Sequence, residues 1–142
     1  MKMIRKHYSE VERLESKKEG FKGFFARYLW CKDDGCPNFA MRMMEIEPGG
    51  HTSYHSHLEE HQFYFVEGEP AYVDEKGNET KLNVGDTVYV GSDEPHQIKN
   101  VGNEVMRMIC MIPILPGGDG KNPAPRPDGG GYATKAKPSC SC

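Results

Sequence analysis

Sixteen glycines and ten prolines break this 142-residue chain so often that the apolar runs between them have strand length, not helix length. Nine such runs are read between Gly20 and Pro116: Phe21–Trp30, Phe39–Glu47, Thr52–His57, Gln62–Glu67, Ala71–Asp74, Thr80–Leu82, Thr87–Val90, Gln97–Asn100 and Glu104–Ile112. Turns are expected at Lys32–Gly35, at Pro48-Gly49-Gly50, at Lys76–Asn78 and at the Ser-Asp-Glu-Pro stretch before His96. Eight or nine short strands with regular turns predict an all-β sandwich or barrel.

The expected packed domain spans residues 20–115, close to the lower limit for a self-sufficient core. Residues 1–19 read as a polar, weakly helical leader. Residues 116–142 hold five of the prolines and six of the glycines and read as a flexible or surface-draped tail ending in Cys140-Ser141-Cys142. The charged N-terminus contains no apolar run, which argues against a signal peptide or membrane anchor and makes the reducing cytoplasm the default expectation. A formal net charge of −3 gives no basic footprint for nucleic acid or an anionic membrane.

The chemistry is concentrated in histidine. Four of the six fall in His51, His55, His57 and His61, and His96 follows 35 residues later. On a strand His55 and His57 share a face because side chains alternate with period two. His61 returns after a short Leu-Glu-Glu turn, and Pro95 stiffens the approach of His96. Four neutral imidazoles suit Mn, Fe, Ni, Cu or Zn. His51, in the Gly-rich turn, and His7, in the leader, read as solvated.

At these residues the chain resembles the cupin superfamily. Gly49, His55, His57, His61 and Gly68 keep the spacing of its first motif, with His61 where glutamate usually stands. Gly85, His96 and Asn100 fit the second, with Gly91 in place of proline and Asp93 in place of glycine. Gln62 takes the glutamate position under a longer spacing, so it competes with His61 as third ligand; His61, the better donor, is preferred. The segment His55–Glu69 is similar to small single-domain cupins that bind manganese through four histidines. The resemblance implies an antiparallel jelly-roll barrel, a homodimer, and one divalent metal per chain, manganese first and then Fe, Ni, Cu or Zn. An all-imidazole shell leaves the full charge on the ion and favours an anionic, chelating small-molecule substrate.

Alternation extends the site. An inward His96 brings Ile98 and Asn100 with it, and Met106, Met108, Cys110 and Ile112 form the uncharged face of the last strand. Cys110 is then either a redox or ligand-supporting group, or a small buried hydrophobe. Arg42 interrupts an apolar strand and either points to solvent or binds an anion. Tyr54, Phe63, Tyr64 and Phe65 are read as an aromatic mouth or as core, and Ile98, Met108 and Ile112 as pocket wall. Cys31 and Cys36 bracket a four-residue loop; with Cys140 and Cys142 they offer a thiol pair or a second metal site, although neither pair has zinc-knuckle spacing. The leading functional expectation is a metal-dependent, dioxygenase-type oxidoreductase. The alternatives are sugar or keto-acid isomerisation with the metal as Lewis acid, and a metal- or ligand-binding module without turnover.

Overall fold

The computed structural model of the protein describes residues 2–127 and 133–134. Its strands are β1 (Leu14–Glu15), β2 (Lys22–Trp30), β3 (Phe39–His51), β4 (His55–Ser56), β5 (His61–Glu67), β6 (Pro70–Val73), β7 (Glu79–Lys81), β8 (Thr87–Val90), β9 (Gln97–Asn100), β10 (Met106–Pro113) and β11 (Ala133–Thr134). Hydrogen bonding runs β7-β6-β9-β3-β10-β5-β8, with β2 beside β3, β1 beside β2, and β11 on β4. Every pairing is antiparallel. The sheet curls into the expected all-β jelly-roll barrel. No helix among the described residues is long and apolar enough to cross a membrane.

Alternation fills the interior. Met106, Met108, Cys110 and Ile112 of β10 are buried while the residues between them are half-exposed. Met44 and Ile46 of β3, Phe63 and Phe65 of β5, and Phe24 and Ala26 of β2 join the same core. Asn100 at the end of β9 donates to the carbonyls of Ile46 (2.8 Å) and Glu104 (2.7 Å), which ties β9 to β3.

Three expectations are corrected. The Pro48-Gly49-Gly50 turn is absent: β3 runs through it to His51 and pairs with Lys99 of β9. From Lys22↔His51 to Phe24↔Ile46, β3 spends three more residues than β2, so the segment is a bulge that carries β3 around the barrel. Gly50 permits it, because a Cβ there would lie 2.6 Å from the Lys22 carbonyl oxygen.

The leader forms no α-helix. It makes one 3-10 turn at Tyr8–Glu10 and then β1, because its carbonyls are claimed from outside: Arg27 Nη1 donates to Val11 O at 2.7 Å.

The stretch 116–127 is packed, against the expectation of a flexible tail from 116. Composition misled here, because glycine was needed for close approach and not for freedom. Gly120 has φ +83°, and a Cβ on it would meet Ala40 Cβ at 2.5 Å. Ala124 is buried and its N–H donates to Glu59 Oε2 at 2.8 Å. Arg126 grips Asp93 with two bonds of 2.6 and 3.1 Å. The barrel therefore carries a strap over 116–127. Cys140 and Cys142 lie outside the described residues.

Glu45, fully buried on the outward side of β3, fastens the leader. It accepts from Arg27 Nε and from Arg107 Nε (2.9 Å), and Arg13 Nε stands 3.7 Å away. Burial alone would raise its pKa, but Arg27 and Arg107 outweigh burial and hold it below the usual carboxylate range. Its contribution is present above the unfolded-state pKa and is lost as pH falls through the lowered folded value. Glu45→Gln strands the guanidinium charges and is expected to destabilise the fold by about 2 kcal/mol, with a shallower acid dependence than the wild type, in urea titrations across pH.

Candidate metal centre

Four histidines converge inside the barrel. His55 comes from β4, His57 follows it, His61 opens β5, and His96 precedes β9. His55 and His96 are locked back to back, each N–H donating to the other's carbonyl (3.0 and 2.9 Å). One ligand atom from each of the four lies within 4.8 Å of the others, and all four residues are buried. Among the described residues this is the one group that could hold an ion.

Each ring is oriented through Nδ1. His55 Nδ1–H donates to Ser53 O (2.9 Å), His57 to Glu59 O (2.9 Å) and His96 to Glu94 O (2.8 Å); His61 Nδ1 meets Cys110 Sγ at 3.0 Å. Phe63 stacks on His61 at a centroid distance of 4.7 Å and fixes its plane. This tautomer leaves Nε2 with its lone pair turned inward. Nε2 of His57 and His61 stand 2.6 Å apart, where two lone pairs repel unless a cation accepts both. A proton is disfavoured, because burial, then neighbouring imidazoles and Arg42, hold His55 and His61 well below the usual range and push His57 down to about 3. Burial likewise lowers His96. A buried set of four neutral, inward-facing imidazole nitrogens fits a divalent transition-metal ion, which His55, His57, His61 and His96 would hold.

Arg42 and Cys110 complete this wall. Arg42 points inward from β3, between Ala40 and Met44, and is 8% exposed. Its Nη2 donates to Cys110 Sγ at 2.9 Å, while its Nε is buried with no hydrogen-bond partner among the described residues. Burial pushes the Cys110 thiol up despite Arg42, so the sulfur stays protonated between Arg42 Nη2, from which it accepts, and His61 Nδ1.

The histidines floor a cavity of about 650 Å³. Of the expected residues, Arg42, Cys110, Phe63, Ile98 and Met108 line it. Three do not. Gln62 is exposed on the outer sheet face, because the residue after an inward His61 must point outward. Tyr54 is buried elsewhere, its hydroxyl donating to Asp74 O at 2.8 Å, and Ile112 packs deeper in the core. Tyr64 is 46% exposed and Phe65 is core, so the aromatic mouth reduces to Phe63.

The adjoining wall, Phe24, Ala26 and Tyr28 of β2 with Phe21 just before it, was not singled out from sequence, although the alternation in GlyPhePheAlaArgTyr carried the signal. Lys18 and the strap residues Lys121, Asn122 and Pro123 complete the rim. Cys31 is buried with its thiol on Asp34 Oδ2 (3.4 Å), Cys36 is half-buried, and both are free.

Two outcomes follow. His61→Ala weakens metal binding at least about 100-fold and Gln62→Ala leaves it unchanged, as read by metal content after dialysis against a graded chelator. The metal-free protein keeps its full stability above about pH 6.5, the unfolded imidazole value, and loses it as pH falls below that, because the unfolded chain takes up protons that the buried rings refuse. His57 alone removes about 1 kcal/mol by pH 5.5, measurable by urea unfolding.

The Cupin domain family (Cupin_2) matches residues 42–112. An uncharacterised protein of Methanocaldococcus jannaschii is 26% identical over 65 residues, 46% of this chain and 52% of that protein, so the chain spans about half the length of the curated relative it matches. Among solved structures, the polyketide cyclase RemF of Streptomyces resistomycificus is 26% identical with a TM-score of 0.74, covering 79% of this chain and 80% of that one. A predicted oxalate decarboxylase of Thermotoga maritima is 27% identical with a TM-score of 0.68, covering 79% of this chain and 100% of that one. The matched stretch runs from Arg42 to Ile112 and encloses all four histidines, and the chain belongs to the cupin family.

Proposed function

We propose that the protein is a metal-dependent enzyme acting on an apolar small molecule with an enolisable polyketone or polyphenol group. The reading rests on the cavity wall. Phe24, Tyr28, Met44, Phe63 and Met108 give the cavity an apolar lining beside the histidines. Glu15, at the rim, is the one carboxylate among the described lining residues. The four imidazoles are neutral and hydrogen-bonded at Nδ1, so no side chain at the floor is placed to carry a proton between two carbons. That weighs against aldose–ketose isomerisation. It favours a substrate whose enol or phenol proton is acidic enough to leave once its oxygens are polarised.

A divalent ion held by His55, His57, His61 and His96, manganese first and then Fe, Ni, Cu or Zn, supplies that polarisation. The chain's own residues exclude water, clamp the planar body against β2, and set a positive field through Arg42. The likeness to a polyketide cyclase supports redox-neutral carbon–carbon ring closure as the reaction. Dioxygenase cleavage is the second reading. It is favoured by the uncharged donor set, which leaves a redox-active ion at full divalent charge.

The test is a panel of β-polyketones and polyphenols incubated with protein loaded with each metal, followed by mass spectrometry and an oxygen electrode. Products lighter by one water without oxygen uptake are expected. Products heavier by two oxygen atoms, with matching uptake, would replace cyclisation by the dioxygenase reading. Tight binding with no conversion of any compound would leave a ligand-binding module and sink the catalytic one.

A further inference from the structure

Four other arginines are answered by carboxylates: Arg27 and Arg107 by Glu45, Arg13 by Glu47 and Arg126 by Asp93. Arg42 is the only buried arginine among the described residues, and it forms an ion pair with none of them. It lines the same cavity as the four histidines. Its Nη2 donates to the Cys110 thiol at 2.9 Å, and its buried Nε has no hydrogen-bond partner among the described residues. Glu15, the one carboxylate among the described lining residues, is taken by Lys17 at 3.1 Å. The imidazoles beside Arg42 are neutral, and an ion held by them would add positive charge. A buried lysine or histidine can shed its proton, but a guanidinium cannot. The charge at the cavity floor is therefore permanent, and its desolvation carries a cost that an incoming anion offsets.

On the reading of the cavity just given, we propose that Arg42 is a catalytic residue that binds the substrate as its enolate or phenolate, with Nε donating to the anionic oxygen. The enol or phenol O–H bond breaks, its electron pair stays on oxygen, and the proton leaves to solvent. A donor already fixed in a water-poor site favours the charged oxygen because it needs no reorientation when the charge develops. A single anionic oxygen suits this arginine better than a carboxylate does. A carboxylate grips a guanidinium with two parallel bonds, and here Nη2, the neighbour of Nε on that edge, is already engaged by Cys110. Cys110 thereby fixes which part of the arginine meets the substrate. The same sulfur lies 3.0 Å from His61 Nδ1, so one side chain positions both the anion's donor and a ligand of the metal centre.

The test compares 2-naphthol with 2-methoxynaphthalene, one ring system with and without an ionisable oxygen, by calorimetry on the zinc-loaded full chain at neutral pH. Runs in two buffers of different ionisation enthalpy reveal whether a proton is released. The wild type is expected to prefer naphthol, to release a proton on binding it, and to show the naphtholate absorption band. Arg42→Met should weaken naphthol at least about tenfold and diminish the proton release, with methoxynaphthalene unchanged. Arg42→Lys should restore much of both effects, with zinc content equal in all three proteins. A wild type that binds the two probes alike and releases no proton overturns the inference but leaves the apolar cavity standing. Undiminished naphtholate formation in Arg42→Met also overturns it, and assigns the ionisation to the metal alone. So does an Arg42→Met protein that loses its zinc, which would make Arg42 a structural prop of His61. Binding of neither probe by the wild type overturns the apolar-cavity reading and this inference together.

Discussion

The site depends on what happens at the far side of each imidazole. Three backbone carbonyls and one thiol occupy Nδ1 of His55, His57, His96 and His61. Those four contacts choose the tautomer, aim Nε2 inward, and keep each ring neutral in a place where a charge would be costly. The acceptors are themselves fixed by the fold. The Ser53 carbonyl also accepts from the Thr52 hydroxyl at 2.9 Å, and Cys110 sits opposite Phe63 in the β10–β5 ladder. A donor set so oriented is preorganised, and little rearrangement separates it from the geometry an ion requires.

Around that floor the chain is wrapped from both ends. The leader is tied down by the buried Glu45 and its arginines, and the strap by Gly120, Ala124 and Arg126. Both wrappings reach the cavity rim, through Lys18 on one side and Asn122 on the other. The barrel supplies the ion's ligands, while the flanks shape what can approach them. The family match, residues 42–112, lies within the barrel and takes in all four ligands.

The legible parts of the structure were those in which one residue's position dictates another's. The His-x-His step, the return at His61 and the alternation Met106, Met108, Cys110, Ile112 follow from period-two geometry, and each has its predicted side. The same rule could have removed Gln62 from the site, since neighbours on a strand cannot share a face. Composition was a poorer guide. Pro-Gly-Gly at 48–50 reads as a turn but serves a bulge, because only the partner strand reveals that Gly50 is pressed against Lys22. Gly117, Gly118 and Gly120 look like slack and are close contacts. Charges that act through distant partners, such as Glu45 with Arg27 and Arg107, leave no local pattern to find.

Asp93 occupies a motif position where the related pattern has glycine, and its φ of +61° explains why glycine suits it. Its N–H holds the carbonyl of His57 at 2.7 Å, and its carboxylate holds Arg126 of the strap. One residue in a costly conformation thus joins the loop beneath a metal ligand to a segment more than thirty positions downstream. Seating of the strap and rigidity of the floor are therefore linked equilibria. Whatever free energy an ion gives to the floor, through the part of it that passes Asp93, is returned as affinity of the strap for its groove, and the reverse holds equally.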